Sequence, residues 1–198
     1  MHSEINWHEE WQKHALGFKD GVAHIVFKKL KIPCDKTLLL TPGAGFGDMS
    51  HPTTRLALVL MQPHVAGKKV LDIGSGSGIL SLAAAHFGAQ KVTGIDIDLD
   101  AIEHAKENAK LNHLDSLCHF DTSFHDSCDI IVMNMIRLEQ KAAYKPYPGC
   151  RMAITSGILK EEKNRYLEQT AAWGWVLEEE KALKGWLGFR FTINNPGI

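Results

Sequence analysis

Two aspartates and three glycines lie close together in this chain, in an order that suits a nucleoside-bearing ligand. Val70-Leu71-Asp72-Ile73 reads as an apolar strand running into Gly74-Ser75-Gly76-Ser77-Gly78, and a second strand ends at Gly94-Ile95-Asp96-Ile97-Asp98. Gly74, Gly76 and Gly78 let a backbone approach a ligand without a Cβ in the way. The spacing is G-x-G-x-G, not the G-x-G-x-x-G that sets a helix N-terminus against a pyrophosphate. Asp72 would repel a pyrophosphate but suits an ammonium, directly or through water; its other reading is to order the glycine loop. Asp96 suits a bidentate grip on two ribose hydroxyls, with Ile97 beside it in the same site. Together they point to S-adenosylmethionine rather than NAD, and no Tyr-x-x-x-Lys pattern supports a nicotinamide enzyme.

The elements that would position these groups alternate. Strands are expected at 69–73, 91–96, 117–121, 129–133 and 150–155, and helices at 55–61, 78–87, 99–111 and 159–172, with a short helix somewhere in 137–148. Segments 175–183 and 188–193 are expected to close the sheet as an antiparallel pair. The fold class is therefore α/β: a Rossmann-like, mostly parallel seven-stranded sheet with helices on both faces. Ligands of such sheets bind at the carboxyl ends of the strands, where Gly74–Gly78, Asp96, Asp121 and Asn134 all fall. Asp121 is placed to read an adenine amino group, and Asp98 to cap the 99–111 helix. Ahead of this unit, residues 1–36 read as an arm or linker packing on the core. Trp7 and Trp11 lie one helical turn apart and are expected to share a packing face. Residues 37–198 form the main domain.

At 198 residues, with 44% hydrophobic and 23% charged positions, the chain can bury a full α/β core. A net charge of −1 makes a nucleic-acid partner unexpected. No apolar run is long enough to cross a bilayer as a helix. Cys34, Cys118, Cys128 and Cys150 form no CxxC pair, and none of the eleven histidines makes HxxxH or HExxH, so no metal site is expected. Buried free thiols and the lack of a leader pattern suggest a cytoplasmic protein.

Four segments resemble one family, the class I S-adenosylmethionine methyltransferases of the PrmA type, bacterial enzymes that methylate protein eleven of the large ribosomal subunit. They are Trp7-His8-Glu9-Glu10-Trp11, similar to that family's linker; Pro42-Gly43-Ala44-Gly45-Phe46-Gly47-Asp48-Met49-Ser50-His51-Pro52-Thr53-Thr54, similar to its P-G-x-A-F-G-T-G-x-H-x-T-T loop; the glycine loop through Asp98; and Ser156-Gly157-Ile158-Leu159, like its S-G-I-L. The resemblance implies that Thr54 contacts the cofactor, a role compatible with capping the following helix. It also implies that Phe46 and His51 line the methyl-transfer pocket or anchor the loop. Asn134 would end a strand beside the methyl group and, with a nearby backbone carbonyl, accept the N–H groups of an amine acceptor; Met135 follows it on the acceptor side. Three departures stand out, one of them Asp48-Met49 in the loop where the family has Thr-Gly. The chain begins at the linker, where the family has a separate recognition domain ahead. Asn134-Met135-Ile136-Arg137-Leu138 replaces N-I-L-A-G-P-L. The acceptor is accordingly a protein side chain or a small molecule, and a cofactor-binding protein without turnover is the other reading.

Overall fold

The computed structural model describes residues 7–43, 47 and 49–194. Its first helix, α1 (Trp7–His14), buries Trp11 to 5% exposure and leaves Trp7 39% exposed, so only one of the two expected tryptophans packs. Strands β1 (Phe18–Lys19) and β2 (Val22–Val26) are joined by Asp20-Gly21, both with positive φ, the two-residue turn that matches strand twist. Strand β3 (Thr37–Leu40) pairs antiparallel with β2, forming a small three-stranded sheet. The 37–40 strand, read from sequence as the start of the main domain, is thus hydrogen-bonded to the arm. Ala23, Ile25, Leu38 and Leu40 of this small sheet are buried in the same core as Ile79 and Leu82.

Helix α2 (Pro52–Met61) starts three residues earlier than its apolar pattern suggests. Proline at its first turn is preorganised for a helix, and His51 caps it by accepting from the Thr53 N–H. The alternation then runs β4 (Lys69–Ile73), α3 (Ile79–His86), β5 (Lys91–Ile95), α4 (Leu99–Leu111), β6 (Cys118–Asp121), β7 (Ile130–Asn134), α5 (Arg137–Ala143), β8 (Met152–Leu159), α6 (Lys163–Ala172), β9 (Trp175–Leu183) and β10 (Trp186–Ile193). Asp98 caps α4 by accepting from the Asp100 N–H at 2.9 Å, as expected.

The main sheet has seven strands in the order β6-β5-β4-β7-β8-β10-β9. β6 through β8 are parallel; β10 and β9 close the edge antiparallel. Because side chains alternate along a strand, Val70, Ile130 and Val132 face the layer of α2, α3 and α4, while Leu71, Ile73, Ile131 and Met133 face the layer that holds Tyr166 of α6. The end of β8 differs from the sequence reading. β8 runs on to Leu159, which the apolar spacing had assigned to a helix, because β10 pairs with it as far as Trp186 opposite Leu159. From β4 the chain goes outward through β5 and β6, then returns to place β7 on β4's other side. The gap between the carboxyl ends of β4 and β7 is therefore the switch point where such sheets bind ligands.

Candidate active site

A cleft of about 930 Å³ opens at this switch point. Its first wall is built largely from backbone. Gly74 N and Ser75 N both donate to Ile95 O, at 2.8 and 3.1 Å, so the turn after β4 is strapped to the end of β5. Gly76 N donates to Asp96 Oδ2 at 2.9 Å and Asp98 N to Asp96 Oδ1 at 3.1 Å. Asp96 thus joins the glycine loop to the start of α4, and its half-buried carboxylate still borders the cleft with Gly74, Gly76 and Ile97. Gly74, Gly76 and Gly78 all have positive φ. At Gly74 a Cβ would meet the flexible Met135 side chain across the cleft, so the positive φ is what asks for glycine here. Gly78 does not line the cleft; it starts α3, with Ala105 and Phe120 close enough to exclude a larger residue.

Asp72 lies behind this wall. It is 1% exposed, on the strand face opposite Ile73, and Oδ2 accepts from Ser81 Oγ at 2.7 Å. Its Oδ1 has no hydrogen-bond partner among the described residues. Burial pushes its pKa from 3.8 up to about 6; the Ser81 hydrogen bonds oppose this and Asp96 adds to it. A second strap holds the loop from the other direction. Asn108 of α4 donates to Ser77 O at 3.0 Å and accepts from Thr41 N at 2.9 Å, while Ser77 Oγ donates to Gly47 O at 2.9 Å.

The opposite wall is built from side chains. Asn134 ends β7, one residue past the Ile73–Met133 pairing, and so faces the glycine turn. Its Nδ2 donates to Thr54 Oγ1 at 3.4 Å, and its buried Oδ1 has no partner among the described residues. Thr54 is fully buried beneath Asn134, while Thr53 borders the cleft. His51 packs edge-on against Trp186, ring centroids 4.8 Å apart, and both rings line the mouth. Met135, Ile136 and Glu139 complete this side. Met135 O, the backbone carbonyl one residue past Asn134, accepts from Gln140 Nε2 at 2.7 Å.

At the far end, Thr122, Ser123 and Phe124 line the cleft, but Asp121 does not. Its carboxylate accepts from Thr122 N at 2.6 Å and lines a separate shallow depression on the outer strand edge. Phe46 lies outside the described residues. Of the sequence candidates, Gly74, Gly76, Asp96, Ile97, His51, Asn134 and Met135 come together around the cleft. Thr54, Asp72 and Gly78 support it from behind. Trp186, Thr122–Phe124, Glu139 and Gln140 were not singled out from sequence. Trp186 had a signal, the Lys184-Gly185 turn that starts β10, but nothing local placed its ring against His51. Among the described residues no group of three or more His, Cys, Asp or Glu could hold a metal.

A nucleoside with a cationic tail fits these walls. The glycine turn leaves space that a Cβ would fill, Asp96 faces that space, and Asn134 Oδ1, a buried acceptor oxygen on the opposite wall, has no partner among the described residues.

A family model described as ribosomal protein L11 methyltransferase (PrmA) matches residues 1–193. The ribosomal protein L11 methyltransferase of Dictyoglomus thermophilum is 36% identical over 204 residues, covering 96% of this chain and 65% of its own length. That of Limosilactobacillus reuteri is 33% identical, covering 92% and 62%. The chain thus spans a little under two thirds of the length of these curated relatives. Among solved structures, a ribosomal protein L11 methylase from Lactobacillus delbrueckii superposes with a TM-score of 0.65 at 26% identity, over 77% of this chain and 82% of that one. An RNA methyltransferase from Salinibacter ruber, solved with S-adenosyl-L-homocysteine, shares the fold alone: TM-score 0.50, 19% identity, 69% and 87% coverage.

Proposed function

This chain belongs to the PrmA family of ribosomal protein L11 methyltransferases, and we propose that it transfers a methyl group from S-adenosylmethionine to a nitrogen on a protein side chain. The observation that carries this reading is the buried Asn134 Oδ1, without a partner among the described residues and facing the glycine turn across the switch point. Gly74 and Gly76 would pass the cofactor's methionine portion along the turn, Asp96 would accept its ribose hydroxyls, and Thr122–Phe124 would border the base. When bound, the cofactor supplies a methyl carbon made electrophilic by a positive sulfonium.

The chain's own residues then have two tasks. Asn134 Oδ1 accepts an N–H of the acceptor and aims its lone pair across the cleft. Thr54, beneath it, fixes the amide plane. The acceptor amine, if a lysine, has an ordinary pKa of about 10.4 and must shed its proton before attack. Desolvation between His51, Trp186 and Met135 favours the neutral amine. The Glu139 carboxylate, held on Ile136 N at 3.3 Å, gives the same side of the cleft a negative point that attracts a cationic acceptor on approach. Positioning is the main contribution of these groups, and no general base of matched pKa is required. A cytoplasmic setting suits a ribosomal-protein type of acceptor; among the described residues no helix is long and apolar enough to cross a membrane.

The test is transfer of labelled methyl from S-adenosylmethionine into ribosomal protein L11 and, separately, into the protein, RNA and small-molecule fractions of a lysate. Label in a protein is expected. Label confined to RNA or small molecules would move the acceptor to another class. No label anywhere, with S-adenosylhomocysteine still bound, would leave a cofactor-binding protein.

A further inference from the structure

The segment after Asn134 departs from the family's pattern, and in this structure it forms a short link between β7 and α5. β7 ends at Asn134, α5 begins at Arg137, and the short link between them must settle its own carbonyl groups. Gln140, fully buried on α5, does this. Its two amide hydrogens go to Met135 O at 2.7 Å and Ser156 O at 2.8 Å. Its Oε1 lies 2.6 Å from the hydroxyl of Tyr166, itself fully buried and 2.8 Å from Thr155 Oγ1. A planar amide bonded on all sides cannot rotate without losing several buried hydrogen bonds.

Packing closes the same link from below. At Gly157 a Cβ would lie 2.3 Å from Met135 O, so only glycine lets the two backbones meet. The Met135 carbonyl is therefore held toward Gln140 while its side chain crosses to Gly74. Docking of α5 has a separate source: Arg137 reaches Glu162 and Gln169 of the α6 side, each at 3.2 Å. The helix is thus tied down at Arg137 by side chains, whereas Gln140 ties down the Met135–Ile136 peptide, one residue past Asn134.

We infer that Gln140 is a positioning residue of the acceptor site, locking the Met135–Ile136 peptide, one residue past Asn134, so that Asn134 Oδ1 is the acceptor presented to the incoming N–H. This rests on the methyl-transfer reading. Gln140 touches no reacting atom; it acts through Met135. A displacement near 1 Å in such a site costs about a hundredfold in rate.

The experiment uses protein labelled with methyl-13C methionine, with the Met135 signal identified by its loss in Met135→Leu and Met61 of α2 as a remote control. In Gln140→Leu the Met135 signal is expected to shift or broaden and Met61 to stay in place. S-adenosylhomocysteine affinity should stay within about twofold while kcat for transfer falls about tenfold or more, a split that general loss of structure would not produce. Tyr166→Phe, which keeps both amide donors, should move the Met135 signal in the same direction by less, and it decides the matter if Gln140→Leu does not fold. An unmoved Met135 signal in the folded variants, or cofactor affinity falling in step with kcat, overturns the inference. A parent protein that transfers no methyl defeats the functional reading instead, and the Met135 spectrum still decides whether Gln140 holds the link.

Discussion

On the glycine-loop wall, the groups that face the ligand come from residues 74–98, and most of the bonds that shape them are made by backbone: Gly74 and Ser75 to Ile95, and Gly76 and Asp98 to Asp96. On the acceptor wall they come from 51, 53, 134–136, 139, 157 and 186, and each bond is made by a side chain: Asn134 to Thr54, and Gln140 to Tyr166 and to the carbonyls of Met135 and Ser156. The first wall is a local device, built on glycines at positive φ, whose geometry a short segment encodes. The second is assembled at long range, so single side chains there can change the chemistry and leave cofactor binding intact. The two walls should therefore fail differently when mutated.

The largest expected effect lies behind the glycine-loop wall. Asp72, raised by burial from 3.8 to about 6, binds its proton more tightly when folded than unfolded. Between about pH 4 and 6 the folded state holds more protons, so stability falls as pH rises through that window. The displacement is worth on the order of 3 kcal/mol, at about 1.4 kcal/mol per pH unit. Asp72→Asn removes it, so urea midpoints of the variant should gain on the parent from pH 4 to 7. A constant difference across that range would mean that Asp72 is not held as a buried acid.

Next comes the acceptor wall. Asn134→Ala should lower methyl transfer by about a hundredfold or more, about 2.7 kcal/mol of transition-state stabilisation, with S-adenosylhomocysteine affinity near the parent's. Calorimetry and transfer assays on the same sample check this. Transfer at the parent rate would reduce Asn134 to a strand-end residue. Asp96→Ala should do the reverse, weakening cofactor binding by about 2 kcal/mol, the range for hydrogen bonds to a charged group. Equal affinity in parent and variant would remove the ribose assignment. If both variants lost binding and turnover alike, the contrast between the walls would collapse.

The smallest effect tests how local the first wall is. Asp98→Ala removes the α4 cap and should cost about 1 kcal/mol of stability, seen as a lower denaturation midpoint. Because Asp98 holds Asp96 through its backbone N–H and not its side chain, cofactor affinity should change little. A large loss of affinity would show that the wall depends on the cap.

Sequence alone determined what depends on neighbours along the chain. The strand-turn-helix at Gly74–Gly78, the acid at Asp96, the Asp98 cap and the parallel alternation were all legible, because each is set by residues within a few positions of one another. The α2 start was misplaced only because its signal is a cap and a proline, His51-Pro52, not an apolar repeat. What tertiary structure decided is everything that depends on which strand lies beside which. Leu159 belongs to a strand because β10 pairs with it, and Thr122–Phe124 border the cleft while Asp121 turns outward on an edge strand. Met135's carbonyl is bonded by Gln140, a residue that reads in sequence as one more polar position on a short helix. Its amide finds partners in Ser156 and Tyr166, 16 and 26 residues away in sequence. No periodicity encodes such a meeting, since a buried amide is satisfied only by whatever polar groups the packed sheet and helices bring within reach.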